Sequence, residues 1–169
     1  MRSNGGAEGE RGGTMRRPLY TPAERARRDA TRWTLVQGIL APVQFLVFAA
    51  SLALVVRFLA TGDGLAAATA SVVIKTAVLY TIMVTGAVWE KKVFGRYLFA
   101  PAFWWEDAFS MVVIALHTAY VVALLADIGS DRQRLAIALA AYAAYLVNAT
   151  QFVLKLRAAR LETPAMAAA

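Results

Sequence analysis

The residues best suited to chemistry are three carboxyls (Glu90, Glu106 and Asp107), one imidazole (His117) and one amine (Lys75). All lie within or at the ends of long apolar stretches. A carboxylic acid in a dry, apolar setting can donate a proton near neutral pH. Two neighbouring carboxyls such as Glu106 and Asp107 can split roles, one protonated and one ionised to orient water. His117 has three readings: a satisfied core histidine, an axial ligand to a metal macrocycle, or a proton donor. Lys75 lies roughly 13 Å from the end of its stretch, and an amine at that depth costs about 2.5–3.5 kcal/mol to insert. It must either face a polar interior or snorkel outward.

Four apolar stretches must position these groups: Trp33 to Ala60, Ala66 to Trp89, Phe109 to Ala126 and Leu135 to Leu154. Crossing a hydrocarbon core of about 30 Å takes roughly 20 apolar residues. The third stretch reaches that length by extending backward through Pro101-Ala-Phe-Trp-Trp. At 59% hydrophobic residues and a mean hydropathy of +0.52, the 169 residues predict an all-α, polytopic membrane four-helix bundle.

Helical periodicity sorts the remaining polar groups onto faces. Gln37, Gln44 and Ser51 recur at seven-residue steps on the first helix, and Glu106, Ser110 and His117 fall within roughly 40° on the third. Ala144, Asn148, Gln151 and Lys155 share an arc on the fourth. Gln37, Glu90, Glu106, Asp107, Asn148 and Gln151 all fall in the same half of the membrane. Gathered at one depth, they suggest a buried cavity rather than scattered interhelical hydrogen bonds. Ala136, Ala140 and Ala144 offer a small-residue stripe for close helix contact.

Charge gives the orientation. Fourteen Lys and Arg residues lie before the first stretch, in the second connector or in the C-terminal tail, against two or three in the other connectors. The positive-inside rule then puts both termini in the cytoplasm and accounts for the net charge of +7 without nucleic acid. Residues 1–19 read as a disordered basic tail, 20–160 as the membrane domain and 161–169 as a second disordered tail. Thr21-Pro22-Ala23-Glu24 spells a helix start, so a basic interfacial helix should precede the first span. Gly62-Asp63-Gly64 should close the first span, Ser130 or Asp131 should cap the fourth, and Pro42 is a candidate bend. The absence of cysteine excludes disulfides and thiolate metal sites, and one histidine excludes bis-histidine haem within a chain.

The second connector, Glu90 to Asp107, interleaves charges with Phe94, Tyr97, Phe99, Phe103, Trp104 and Trp105. It reads either as an aromatic belt at the headgroups or as the mouth of a pocket for a large, flat, apolar ligand with an anionic group. The segments Tyr20 to Gly38, Trp89 to Asp107 and Asn148 to Arg157 resemble the 2-vinyl bacteriochlorophyllide hydratase family of photosynthetic bacteria. The resemblance runs from about Tyr20 to Arg160, and the long connector is its specific part. It implies a multi-pass enzyme of the bacterial inner, photosynthetic membrane that adds water to the vinyl group of a chlorophyllide in bacteriochlorophyll biosynthesis. Its partners would be that tetrapyrrole, water and the bilayer, with no cofactor and no resident metal; the oligomeric state is left open.

On that expectation Glu106 and Asp107, then Glu90, are the proton donors, with His117 a further candidate or a ligand to the substrate's magnesium. Trp104, Trp105 and Phe103 would flank the ring, and Lys91, Lys92 and Arg96 would receive its propionate. Gln37, Gln44, Asn148, Gln151 and Lys75 complete the expected binding set. The residues without the resemblance leave open a non-enzymatic pigment-binding or assembly factor and a small transporter.

Overall fold

The computed structural model describes residues 19–167, with side chains up to residue 159. Among the described residues there are five helices and no strand: α1 (Pro22–Ala30), α2 (Arg32–Thr61), α3 (Leu65–Phe94), α4 (Trp104–Leu125) and α5 (Asp131–Ala167). The last four are long and apolar enough to cross a membrane, so the chain is a polytopic bundle. Of the two expected tails, residues 1–18 and 168–169 lie outside the described residues, and the α5 backbone continues to Ala167.

Each boundary has a local cause. Thr21 and Glu24 form a reciprocal capping box: the Thr21 hydroxyl accepts from the Glu24 amide, and the Glu24 carboxylate accepts from the Thr21 amide at 2.8 Å. Pro22, at the first helical position, has no amide to leave unsatisfied. Gly62, at φ 81°, takes the left-handed conformation that ends α2. Ser130 caps α5, with Gln133 accepting from the Ser130 amide at 2.8 Å in a second box. α3 runs on through Glu90, Lys91 and Lys92, so the non-helical connector spans only 95–103.

The bundle consists of two hairpins, α2–α3 and α4–α5, packed extensively within each pair and sparsely between them. Toward the end that carries the α2–α3 and α4–α5 loops the seam between them closes around Phe48, Val55, Val72, Tyr120, Leu135 and Tyr142. Phe48 lies edge-on to Tyr142 at 5.4 Å and tilted against Tyr145 at 4.9 Å. The Ser51 hydroxyl joins the hairpins by bonding the Tyr142 hydroxyl at 2.6 Å and Ser71 at 2.7 Å. The expected stripe at Ala136, Ala140 and Ala144 is corrected: Ala136 and Ala140 are exposed, while Ala138 and Ala141 are fully buried. The inward face of α5 is set by the bulky Leu135, Tyr142 and Tyr145, and the alanines in register with those three are the ones that pack.

With lipid outside, burial of apolar area contributes little to holding the hairpins together, so shape-matched packing must. We expect Phe48→Ala to destabilise the bundle by about 3 kcal/mol, the typical lower bound for an aromatic truncation that leaves a cavity. Thermal unfolding in detergent micelles checks this, and a change below about 0.5 kcal/mol would mean the site collapses freely.

A candidate active site between the hairpins

At the other end of the bundle the seam opens into a cavity of about 910 Å³, near the upper end of ligand-pocket sizes. It exists because small residues face it. A side chain at Gly86 would meet only the Gln37 amide oxygen at 3.6 Å, and one at Gly38 would meet nothing within 4 Å. Ala41 and Ala87 continue this small-residue lining. Aromatic rings complete the lining. Phe103 stacks on Phe152 at 5.9 Å and stands edge-on to Trp89 at 5.8 Å.

α1 covers the mouth. No α1 residue is buried, yet Tyr20 just before it is 4% exposed and stacks on Phe94 at 5.8 Å. Arg27 Nε donates to the Val93 carbonyl at 2.7 Å, pinning α1 to the end of α3. The Thr34 hydroxyl donates to the Arg28 carbonyl at 2.6 Å and accepts from the Trp89 indole at 2.9 Å, which ties α1, α2 and α3 together. Arg25, Arg28 and Tyr20 therefore become cavity wall. Burial pushes the Tyr20 phenol above its ordinary pKa, while the Arg28 guanidinium, 4.9 Å above the ring, pulls it back. The phenol stays neutral, and the cationic charge at the mouth belongs to the arginines.

Two carboxyls meet on the wall. Glu90 near the end of α3 and Asp107 in the first turn of α4 are buried, line the cavity and lie within electrostatic range of each other. Each also takes a backbone amide from the connector. Asp107 Oδ2 accepts from Phe99 at 2.7 Å and Glu90 Oε2 from Ala100 at 3.3 Å. The Asp107 bond holds Phe99 at φ 58°, a left-handed conformation that a phenylalanine adopts only at some energetic cost. Two carboxyls this near each other in an apolar cavity favour holding one proton between them, because desolvation and mutual repulsion oppose two charges. The pair is the candidate proton donor beside the aromatic wall.

The other expected site residues divide clearly. Gln37, Gln44, Asn148 and Phe103 line the cavity. Gln37 donates to Thr85 at 2.8 Å, and Asn148 donates to the Ser110 hydroxyl at 2.8 Å while its own carbonyl oxygen has no protein partner. Glu106 turns the other way and pairs with the Lys155 ammonium at 2.6 Å, which also donates to the Ala102 carbonyl. Trp104 and Trp105, 47% and 66% exposed, lie off the cavity wall and meet edge-to-face at 4.9 Å. Lys91 caps the end of its own helix through the Gly95 carbonyl, and Arg96 reaches the Phe99 carbonyl at 3.4 Å. Lys92 faces a separate open depression with Arg27 and Arg32. Gln151 keeps its carbonyl oxygen buried without a protein partner, away from the cavity.

Lys75 and His117 are both fully buried, so Lys75 does not snorkel. His117 sits behind the cavity wall rather than on it. Among the described residues no three His, Asp or Glu side chains gather as a metal site. Sequence reasoning missed Tyr20, Arg25, Arg28, Gly38, Gly86 and Trp89. The two glycines, in apolar helices where alanine would serve better, were the legible signal for a space left open.

Comparison with known proteins places the sequence in a family. Residues 20–158 match a family model described as 2-vinyl bacteriochlorophyllide hydratase. A relative of that name from Cereibacter sphaeroides is 69% identical over 149 residues, covering 88% of this chain and 92% of the relative. Another of that name, from Rhodobacter capsulatus, is 67% identical over 147 residues, covering 87% and 85%. No solved structure matches the chain. The matched stretch includes every cavity-lining residue except Ala159, and the chain belongs to the 2-vinyl bacteriochlorophyllide hydratase family.

Proposed function

We propose that this chain is the enzyme that adds water across the vinyl group of a chlorophyllide, giving a hydroxyethyl group in bacteriochlorophyll biosynthesis. Family membership carries the reaction, and the buried Glu90–Asp107 pair lining an aromatic cavity supports the mechanism. The formal class is hydro-lyase. The setting is the inner, photosynthetic membrane, with both termini and the cavity mouth on the cytoplasmic side. Two facts support that placement: the basic residues cluster at the mouth end, and α1, Glu90, Asp107 and Leu156 share that end.

Hydration of a vinyl group conjugated to a macrocycle begins with a proton. The Glu90–Asp107 pair gives one to the terminal vinyl carbon, whose π electrons form the new C–H bond. The adjacent carbon becomes a cation, delocalised into the ring. Water then bonds to that carbon and releases a proton, which restores the pair. The sum is one water added, with no change of oxidation state and no cofactor consumed. Phe103, Trp89 and Phe152 hold the flat ring, and their electron-rich faces favour the developing cation. Arg25 and Arg28 receive the propionate at the mouth, a role the sequence had suggested for Lys91, Lys92 and Arg96. Glu106, held by Lys155, anchors the start of α4 so that Asp107 faces Glu90.

Purified protein mixed with vinyl chlorophyllide tests the assignment, with chromatography of the product and fluorescence quenching to follow pigment binding. Glu90→Gln should lower kcat by about 10²–10⁴-fold, the usual contribution of a general acid, while pigment still quenches. Turnover equal to the unmodified protein would refute the role of the pair. An unmodified protein that binds pigment without forming hydroxyethyl product would be a pigment carrier instead.

Gly86→Leu should weaken pigment binding by about tenfold or more, because an isobutyl group enters the space the ring needs. Its helix content and melting point should not fall. Arg28→Met should raise KM with kcat nearly unchanged, since a propionate clamp binds ground and transition states alike. A substrate esterified at the propionate should be insensitive to that substitution.

A further inference from the structure

One helical turn behind the cavity lies a second set of polar groups that the proton-transfer step does not use. Lys75 is four residues from Leu79 on α3, and His117 is four residues from Val113 on α4; both Leu79 and Val113 belong to the cavity wall. Lys75 and His117 therefore sit directly deeper on the same faces, each with 0% exposure. The Lys75 ammonium rests 4.1 Å from the centre of the Tyr145 ring, itself part of the wall. His117 lies 5.8 Å from Tyr142 and within electrostatic range of Lys75. Gln44, 3% exposed and on the wall, is a further buried polar side chain of the cavity.

What these three share is an unmet hydrogen-bonding requirement. Lys75 Nζ, His117 Nε2 and Gln44 Oε1 are buried polar atoms with no partner in the protein. Their types are complementary. The other ring nitrogen of His117, Nδ1, lies 2.8 Å from the Val113 carbonyl, which can only accept, so Nδ1 carries the hydrogen. In the neutral ring the lone pair then falls on Nε2. Lys75 offers N–H donors, whereas Nε2 and Gln44 Oε1 offer acceptors. One donor and two acceptors match a water molecule, which takes one hydrogen bond on its oxygen and gives two.

We propose that Lys75, His117 and Gln44 hold buried water behind the cavity floor and that this site supplies the water captured by the ring-stabilised cation. The inference rests on the hydration reading above and assigns the half of the reaction that the carboxyl pair leaves undone. Lys75 and Gln44 are positioning residues. When water bonds to the cationic carbon, its released proton passes to His117 Nε2 and returns through water to the carboxyl pair. The apolar wall keeps bulk water away, so capture depends on the held molecule.

Deuterium separates the two half-reactions. In heavy water, protonation of the vinyl group followed by loss of a proton returns vinyl substrate carrying deuterium at its terminal carbon. Capture by water gives the hydroxyethyl product instead. Lys75→Met and His117→Leu, each assayed with vinyl chlorophyllide in heavy water, should lose about 10²-fold in hydroxyethyl formation while pigment quenching persists. Recovered vinyl substrate should gain more deuterium than with the unmodified protein, because the cation forms and goes back. Three results would overturn the proposal: full hydration in both variants, joint loss of hydration and exchange, or loss of pigment binding in both, which would make the residues struts of the fold. Glu90→Gln is the control. It should lose exchange and hydration together, and if it keeps both, the carboxyl mechanism fails independently of the water site.

Discussion

The meeting of Glu90 and Asp107 organises one end of this protein. It joins the last turns of α3 to the first turn of α4, and so one hairpin to the other where the bundle is otherwise open. Both side chains also hold connector amides, so the 95–103 loop is shaped by the same two groups. A carboxyl pair in a membrane protein is tolerable only when hydrogen bonds and a shared proton offset its desolvation. On the proposed mechanism the structural tie and the chemical reagent are one object, and the connector is built tightly around it.

Cation placement follows a related logic. Lys155 holds Glu106, while Lys91 and Arg96 satisfy carbonyls near the α3 terminus. Neither Lys91 nor Arg96 lines the cavity. α1 delivers Arg25 and Arg28 to the mouth instead, held in place by Tyr20, Arg27 and the Thr34–Trp89 link. A short amphipathic segment that would read as a mere membrane-surface helix thus becomes one wall of the cavity. On the proposed orientation its basic face would serve the inner leaflet and the ligand together.

Much of this was legible in residue order, and the limits have physical causes. Thr21-Pro22-Ala23-Glu24 and Gly62 gave true helix ends because caps are set by bonds within a few residues. The shared faces of Gln44 with Ser51, and of Glu106 with Ser110 and His117, emerged as buried because a 3.6-residue period depends only on the helix itself. Periodicity says which residues lie together but not which neighbour they meet. Glu106 and Asp107 are adjacent in sequence yet about 100° apart around the axis, so one meets Lys155 and the other Glu90. Trp104 and Trp105 turned outward for the same reason. The alanine stripe failed because aromatic neighbours at 142 and 145 fixed the rotation of α5, and small residues carry little packing weight of their own. Nothing local in α1 announced that it folds back over the seam.

The two-hairpin architecture has a mechanical corollary. Each hairpin is complete in itself, and the groove between them is walled on its flank by half-exposed Phe45 and by exposed Val153. A rigid, plate-shaped guest can slip in sideways from the hydrocarbon layer by prising the halves apart slightly, without unwinding any helix. Once seated, it acts as mortar between two bricks that touch sparsely on their own. A pigment too insoluble to travel freely through the cell water would never need to leave the oil to be transformed.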